Sequence, residues 1–194
     1  MTADVIIGRI RRILLLDAAA FEEVRDDASF TPVSVGAAVV AVLLAAIGAW
    51  LYGETVLDFT PDGWFVDTVV LGTLFTVLLF LAGMGVIYVL LTQAYRYEIA
   101  PDALVRVLAM THLPFALGLL IFLPEIGFGF GVLSVAAMFY YTIYGIRAAI
   151  PNSDPLSVMI SVAAGFAVWA MVIPLISDPG DNFVTGVFVY GLIA

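Results

Sequence analysis

The chain contains no cysteine and no lysine, and it has a single histidine. Without cysteine it can form no disulfide bond, no catalytic thiolate and no cysteine-ligated zinc site. With one histidine it also falls short of the three or four protein ligands that zinc sites use. These absences exclude the commonest small catalytic and metal centres, and we expect neither a metal nor a cofactor.

Charged residues are also scarce. Only 12% of the 194 residues are charged and 63% are hydrophobic, with a mean hydropathy of +1.14. Soluble domains carry roughly 25% charged residues, so this composition predicts a protein whose solvent is the lipid bilayer. The net charge of −9 argues against nucleic-acid binding.

Five long apolar runs predict five membrane-spanning helices. The first, residues 33–53, has no charged residue over 21 positions, which corresponds to about 31 Å of helix. The others are residues 64–92, 104–123, 128–146 and 156–177. The expected fold is therefore an all-α polytopic membrane helix bundle, with an N-terminal segment (1–32), a transmembrane domain (33–177) and a short apolar tail (178–194). The last part of the tail, residues 183–194, is too short to span a bilayer.

The N-terminal segment is predicted to form two short helices. In the first, apolar residues recur at helical spacing with arginines beside them, at Ile6, Ile10, Ile13, Leu14, Arg9 and Arg12. We expect this amphipathic helix to lie on the membrane surface with its arginines on anionic headgroups. The alternative is that it packs against the protein's own spans. The second helix follows Asp17, whose side chain is suited to cap it.

The positive charges indicate an orientation. All seven are arginines. Four precede the first predicted span (Arg9, Arg11, Arg12 and Arg25), Arg96 lies in the second-to-third link, Arg106 lies just inside the third run, and Arg147 lies in the fourth-to-fifth link. The other loops are acidic. Because loops that carry arginine or lysine stay in the cytoplasm, we expect a multi-pass protein of the cell membrane whose N-terminus is cytoplasmic. Five crossings then place the C-terminus outside.

The predicted spans carry no catalytic set. Away from their ends they contain no Asp, Glu, Lys or Arg, and His112 is their only ionisable residue apart from tyrosines. A hydrolase needs a nucleophile, a base and an orienting group within reach of one another. An ion-coupled transporter places carboxylates near the middle of the membrane. We therefore expect no enzymatic activity.

A polar pocket is the strongest candidate for a binding site. Its residues lie toward the cytoplasmic ends of the third and fourth spans: Thr111, His112, Tyr140, Tyr141, Tyr144 and Arg147. Two alternatives remain. The tyrosines can form an aromatic belt at the membrane interface, and His112 can be a neutral side chain bonded to a tyrosine or a backbone carbonyl. Pro114 frees the carbonyl of Met110, one turn earlier.

Small residues recur at helical spacing on two spans. On the first span they are Ala37, Ala41, Ala45, Ala49 and Gly53, and on the fifth they are Ser157, Ser161 and Gly165. Such rows let helix backbones approach closely. They predict either packing within one bundle or the contact of a homo-oligomer.

Three stretches of the chain resemble the prokaryotic Yip-domain proteins. They are LDAAAFEEVRDDASFTP (16–32) before the first span, LVRVLAMTHLPFALG (104–118) opening the third, and YGIRA (144–148) with the following span that holds Trp169. The resemblance implies a cytoplasmic N-terminus and five membrane spans. It implies no catalytic residue. Eukaryotic members of the family bind Rab-type GTPases and act in vesicle traffic and membrane shaping.

The expected function is that of a non-enzymatic membrane protein that organises membrane or binds a partner. Its partners would be the lipid bilayer and another membrane protein or a second copy of the chain. The alternative is a passive channel, a transporter or a lipid-handling protein, for which the polar pocket would be the site.

Overall fold

The computed structural model of the chain describes residues 2–57 and 62–176, with side chains for residues 2–56 and 62–172. Over these ranges the chain is helical apart from turns and short links, and no β-strand occurs. Five helices are long and apolar enough to cross a membrane, so the predicted all-α bundle is confirmed. The predicted apolar tail (178–194) lies outside the described residues.

The N-terminal segment forms a helical hairpin of α1 (Ala3–Leu14) and α2 (Ala18–Asp26), called here the N-terminal hairpin. In the turn between the two helices, Leu16 has a φ of +57°, a left-handed conformation that glycine usually supplies at a helix end. Asp17 then caps α2 by accepting a hydrogen bond from the Ala19 N–H at 3.0 Å, as predicted. The turn of the hairpin is thus supported by local backbone chemistry.

The remaining helices follow in an up-and-down order. They are α3 (Thr31–Tyr52) with a π-helical turn after it (Gly53–Leu57), α4 (Gly72–Val89) between two π-helical turns (Val66–Leu71 and Leu90–Ala94), α5 (Pro101–Thr111) continued by a 3₁₀ helix (Leu113–Phe122), α6 (Gly127–Ala149) and α7 (Pro155–Ile176). Proline stands in the first turn of α3, α5 and α7. Proline has no N–H, and in the first turn of a helix this costs no hydrogen bond because the N–H groups there have no partner within the helix.

The third span changes its helix type halfway. At the end of α5 the His112 N–H bonds to the Ala109 carbonyl at 3.2 Å, and a 3₁₀ helix of 10 residues follows. Pro114 is the cause, because it has no N–H to donate and its ring clashes with an α-helical carbonyl one turn earlier. Buried residues then recur at every third position, at Phe115, Gly118 and Ile121, as three residues per turn require.

This third span is the centre of the bundle. In its most apolar stretch of 18 residues, 67% of the residues are buried inside the protein, against 33% to 39% in the corresponding stretches of the other four spans. It packs mainly on α3 and α6, while α4 and α7 pack mainly on each other. The α4–α7 contact is a close approach of Gly83 and Gly165, since an added Cβ on Gly83 would lie 2.9 Å from the Gly165 carbonyl oxygen. The bundle is therefore built from two packed groups, α3–α5–α6 and α4–α7.

The closest approach of α3 to the central span occurs at Gly48. A Cβ added there would lie 2.2 Å from the carbonyl oxygen of Gly118 and 2.8 Å from the Cα of Leu119. Those atoms belong to backbone and cannot move aside as a flexible side chain would. The core of this half of the protein therefore depends on the absence of a side chain at residue 48.

We expect Gly48→Ala to destabilise the protein by about 1–3 kcal/mol, because the added methyl group forces α3 away from the 3₁₀ helix. Gly36→Ala is the matched control on the same helix, where an added Cβ meets nothing within 4 Å. The control should be neutral or slightly stabilising, since alanine is the better helix former. Thermal unfolding of both variants in the same detergent makes the comparison, and equal midpoints would contradict this packing.

Candidate functional site

One end of the bundle carries all seven arginines, and it is called here the arginine end. Here α3, α5 and α7 begin and the helices of α4 and α6 end. Contacts between these termini show that they meet, since Arg25 donates to the Ala149 carbonyl at 2.8 Å and the Tyr97 hydroxyl lies 2.8 Å from the Ser157 hydroxyl. The opposite end carries acids among its described residues, at Glu54, Asp62, Asp67 and Glu125.

Arg106 joins the N-terminal hairpin to the bundle. Its guanidinium is buried, and it donates to the carbonyls of Val24 (3.2 Å) and Arg25 (2.7 Å) in the last turn of α2. It also donates to the Thr31 hydroxyl at 3.3 Å and to the Asp102 carboxylate at 2.7 Å. The last carbonyls of a helix lack helical partners and carry partial negative charge, so a cation is their natural ligand.

The two helices of the hairpin are joined by ion pairs. Arg9 bonds to Asp27 at 2.8 Å, and Arg12 bonds to Asp17 and Glu23, each at 2.7 Å. These hydrogen bonds hold the pKa of the Asp17 and Asp27 carboxyls below their ordinary values. Because the two Arg12 pairs are partly open to solvent, each contributes little to stability. The Arg9 side chain is less exposed, at 13%, and lies over the Phe30 ring. The ion pairs orient the hairpin, whereas its attachment to the bundle rests on buried contacts.

Aromatic residues make the other buried attachment. Phe21 of α2 is fully buried, and its ring centroid lies 5.9 Å from that of Tyr144. Room for it exists because residue 145 is glycine, where an added Cβ would lie 3.1 Å from the Phe21 ring. The Tyr141 hydroxyl donates to the Leu14 carbonyl at 2.7 Å. Two tyrosines of the predicted pocket therefore hold the N-terminal hairpin.

The apolar face of α1 is directed at the protein. Ile13 is fully buried, and Ile6 and Ile10 pack against the same core. Arg9 and Arg12 bond to acids of the same chain. Of the two positions predicted for α1, this face takes the second: it packs against the protein itself and not against the membrane surface. The other flank leaves apolar residues and one arginine exposed, at Ile7, Leu14, Leu15 and Arg11, so an interfacial position of this flank stays a prediction.

The six residues of the predicted polar pocket do not line one cavity. Tyr140 is 55% exposed, Arg147 is exposed, and both lie on the outer surface of α6. Tyr141 and Tyr144 contact the N-terminal hairpin, as described above. Only Thr111 and His112 are buried inside the bundle.

Thr111 and His112 form a buried polar cluster with Thr142 of α6, a residue that was not among the six predicted for the pocket. The Thr111 and Thr142 hydroxyls lie 3.1 Å apart, and they also donate to the carbonyls of Leu108 (2.7 Å) and Met138 (2.8 Å), respectively. The His112 Nδ1 lies 2.5 Å from the Leu108 carbonyl oxygen. His112 therefore bonds to a backbone carbonyl, which was one of the alternatives drawn from the sequence. The carbonyl is that of Leu108 and not the Met110 carbonyl freed by Pro114.

A crevice opens beside His112, between the α4–α7 group and helices α5 and α6. It is called here the His112 crevice, and it is lined by Leu79, Phe80, Gly83, Met84, Ile87, Leu108, His112, Met138, Thr142, Gly165, Phe166 and Trp169. The imidazole lies against the Phe80 ring at a centroid distance of 4.3 Å. His112 and Thr142 are the only lining residues with hydrogen-bonding side chains besides the indole of Trp169.

The predicted rows of small residues lie at contacts within the chain. Ala41, Ala45 and Ala49 are buried, whereas Ala37 is half-buried. The Trp64 indole covers Gly53. On α7, the Ser161 hydroxyl donates to the Ser157 carbonyl at 2.8 Å, and Gly165 meets α4. These positions therefore serve packing within one bundle, and nothing in their geometry requires a second copy.

Residues 2–57 and 62–176 contain no group of three or more His, Asp or Glu side chains placed to hold a metal ion. Comparison of the chain with protein-family models, with curated proteins and with solved structures finds no match. The candidate sites are therefore the arginine end and the His112 crevice, each defined by its own geometry.

We expect Arg106→Lys to loosen the N-terminal hairpin. A lysine ammonium cannot reach both α2 carbonyls in the planar geometry of the guanidinium, and losing these charged hydrogen bonds costs about 2 kcal/mol. Amides of α2 should then exchange with solvent about 30-fold faster, as measured by hydrogen-exchange mass spectrometry. The control is Arg147→Lys, which changes an exposed arginine at the same end. Equal exchange in the two variants would contradict the role of Arg106.

Proposed function

We propose that the chain is a non-enzymatic membrane protein of the Yip type, oriented with its arginine end in the cytoplasm. Its role is to organise membrane or to bind a partner membrane protein, or a second copy of itself, through that end. The observation that carries this proposal is the folded N-terminal hairpin, which is fixed to the bundle by Arg106 and Phe21. The arginine end is therefore a formed surface.

The charge distribution supports the orientation. All seven arginines lie at one end of five apolar helices. Four of them, Arg9, Arg12, Arg25 and Arg106, bond to acids or carbonyls of the same chain. The other three, Arg11, Arg96 and Arg147, are exposed and make no ion pair within the described residues. These three are the ones available to headgroups or to an acidic partner.

The residues that carry the Yip resemblance support the assignment in a second way. Phe21 and Arg106 come from two different stretches, 16–32 and 104–118, yet both lie at the contact between the N-terminal hairpin and the bundle. The stretch 144–148 contributes Tyr144 and Gly145 to the same contact. Parts of all three stretches thus meet at one interface, which supports a role in which that interface is the functional part.

The surroundings of the histidine support a non-enzymatic role. The His112 crevice is lined by no Asp or Glu, and the hydroxyl of its one threonine, Thr142, donates to the Met138 carbonyl. Acid–base catalysis by one imidazole would lack a nucleophile and an orienting carboxylate there.

Single-cysteine variants test the orientation and the partner together, because the chain has no cysteine of its own. Glu22→Cys and Arg147→Cys place thiols on exposed positions of the arginine end, and Asp62→Cys places one on the opposite end. In intact cells a membrane-impermeant maleimide should label only Asp62→Cys. A photo-crosslinker attached to each thiol in isolated membranes should give discrete protein adducts at Glu22→Cys and Arg147→Cys only.

Maleimide labelling tests the orientation and crosslinking tests the partner, so each part of the proposal can be contradicted without the other. Labelling of Glu22→Cys and Arg147→Cys from opposite faces would overturn the five-span orientation. Crosslinking that yields the same lipid adducts at all three positions, with no protein adduct, would overturn the partner-binding role. An adduct of twice the chain's mass identifies the partner as a second copy.

A second candidate function is lipid handling, and the His112 crevice is the observation that favours it. A crevice between two helix groups offers a hydrogen-bonding side chain to the interior of the membrane. Vesicles containing a fluorescent phosphatidylcholine analogue test it by comparing movement between leaflets with wild-type protein and with His112→Ala. A rate above that of protein-free vesicles, reduced in the variant, supports lipid handling. Background rates for both proteins remove it.

A further inference from the structure

We propose that the His112 crevice binds the free hydroxyl group of an uncharged lipid, with that hydroxyl donating to Nε2 of His112. The binding requires neither the partner-binding role nor lipid movement, so it stands or fails independently of both proposed functions.

The protonation of the imidazole follows from its partner. A carbonyl oxygen can only accept a hydrogen bond, so the short contact between Nδ1 and the Leu108 carbonyl requires the proton to be on Nδ1. In the neutral ring Nε2 then carries a lone pair and is an acceptor. None of the described residues donates to Nε2, although His112 is only 5% exposed.

An acceptor without a donor is costly in an apolar crevice away from water. Buried polar groups in proteins are almost always hydrogen-bonded, and the membrane interior supplies no bulk water to do it. The group that completes His112 must therefore bring a donor into the crevice.

The size of the crevice limits that donor to a small group. The space that a water-sized group can occupy in the crevice is about 20 Å³, enough for one such group, for example a hydroxyl. The crevice is open on one side and is too small to enclose a whole lipid. A hydroxyl can enter, and the attached apolar body can remain among the side chains at the mouth.

The lining residues decide the charge of the ligand. No Asp, Glu, Lys or Arg lines the crevice, so a phosphate, carboxylate or ammonium group would be buried there without a counter-charge. The rings of Phe80, Phe166 and Trp169 and the side chains of Leu79 and Met84 suit an apolar chain or ring instead. These two facts select an uncharged, hydroxyl-bearing lipid over a phospholipid headgroup.

The single histidine makes a direct test practical, because ¹⁵N-histidine labelling gives signals from one imidazole only. The labelled protein is placed in phosphatidylcholine nanodiscs, whose headgroups carry no hydroxyl, and 1-dodecanol is added. The Nε2 signal should move upfield as it accepts the hydrogen bond, while the Nδ1 signal stays nearly constant. Dodecane, which lacks the donor, and dodecyl phosphate, which is charged, should leave Nε2 unmoved.

Two results would overturn the proposal. One is an Nε2 signal that already shows hydrogen bonding before 1-dodecanol is added and does not respond to it, which would mean that water alone fills the site. The other is an equal response to 1-dodecanol and dodecane, which would mean that the hydroxyl is not recognised.

A variant provides a second readout. His112→Phe keeps a ring against Phe80 but removes the acceptor, and it should weaken photolabelling by a diazirine-bearing dodecanol about fivefold, the loss of one neutral hydrogen bond. Tyr140→Phe is the control, since it removes an exposed hydroxyl outside the crevice. Undiminished labelling of a folded His112→Phe protein would count against the proposal, and the nanodisc titration of the wild type does not depend on how the variant folds.

Discussion

The contact on which the arginine end depends is the one between the Arg106 guanidinium and the last carbonyls of α2. Each side of this contact would be left incomplete without the other, because a buried cation needs acceptors and a helix end needs donors. Formation of the contact fixes the position of α2, and Phe21 is then buried beside Tyr144 and Gly145. The N-terminal hairpin is thereby part of the bundle's core.

The hairpin and the polar cluster are neighbours, and this links the two candidate sites. The methyl group of Thr111 lies beside Gly145, and its hydroxyl contacts the hydroxyl of Thr142. Thr111 therefore adjoins both the Phe21 contact and the His112 crevice. The hydroxyls of Thr111 and Thr142 are occupied by carbonyls. With their protons used in this way, the two hydroxyls cannot donate to a ligand, and the imidazole Nε2 is an acceptor that the crevice offers to one.

Sequence reasoning predicted the parts of the fold that local chemistry decides. Hydropathy identified the five spans, because an apolar run of sufficient length has few alternatives in a bilayer, and the cap on α2 followed from Asp17. Pro114 indicated a disturbed helix, but no local pattern showed that ten residues of 3₁₀ helix follow or that Gly48 packs against them. The pairing of Arg106 with α2 was missed for the same reason, although an arginine inside an apolar run was a visible signal.

The candidate site was harder to predict, because residues adjacent in sequence point in different directions around a helix. Tyr140 and Tyr141 were grouped with Tyr144 by proximity, yet the first faces outward and the other two meet the hairpin. The helical phase offered a better guide, since Met138, Thr142 and Gly145 recur at i, i+4 and i+7 and are all buried. Membership of the crevice also requires the position of α4, which comes from packing alone.

The 3₁₀ helix of the central span restricts how its length can change. Each residue there advances about 2.0 Å and turns by about 120°, so a single insertion would rotate the row of Phe115, Gly118 and Ile121 away from α3. Adding or removing three residues would restore the row and shift the end of the span by about 6 Å. Homologous chains that keep this element should therefore differ in length here by whole turns of three residues or not at all.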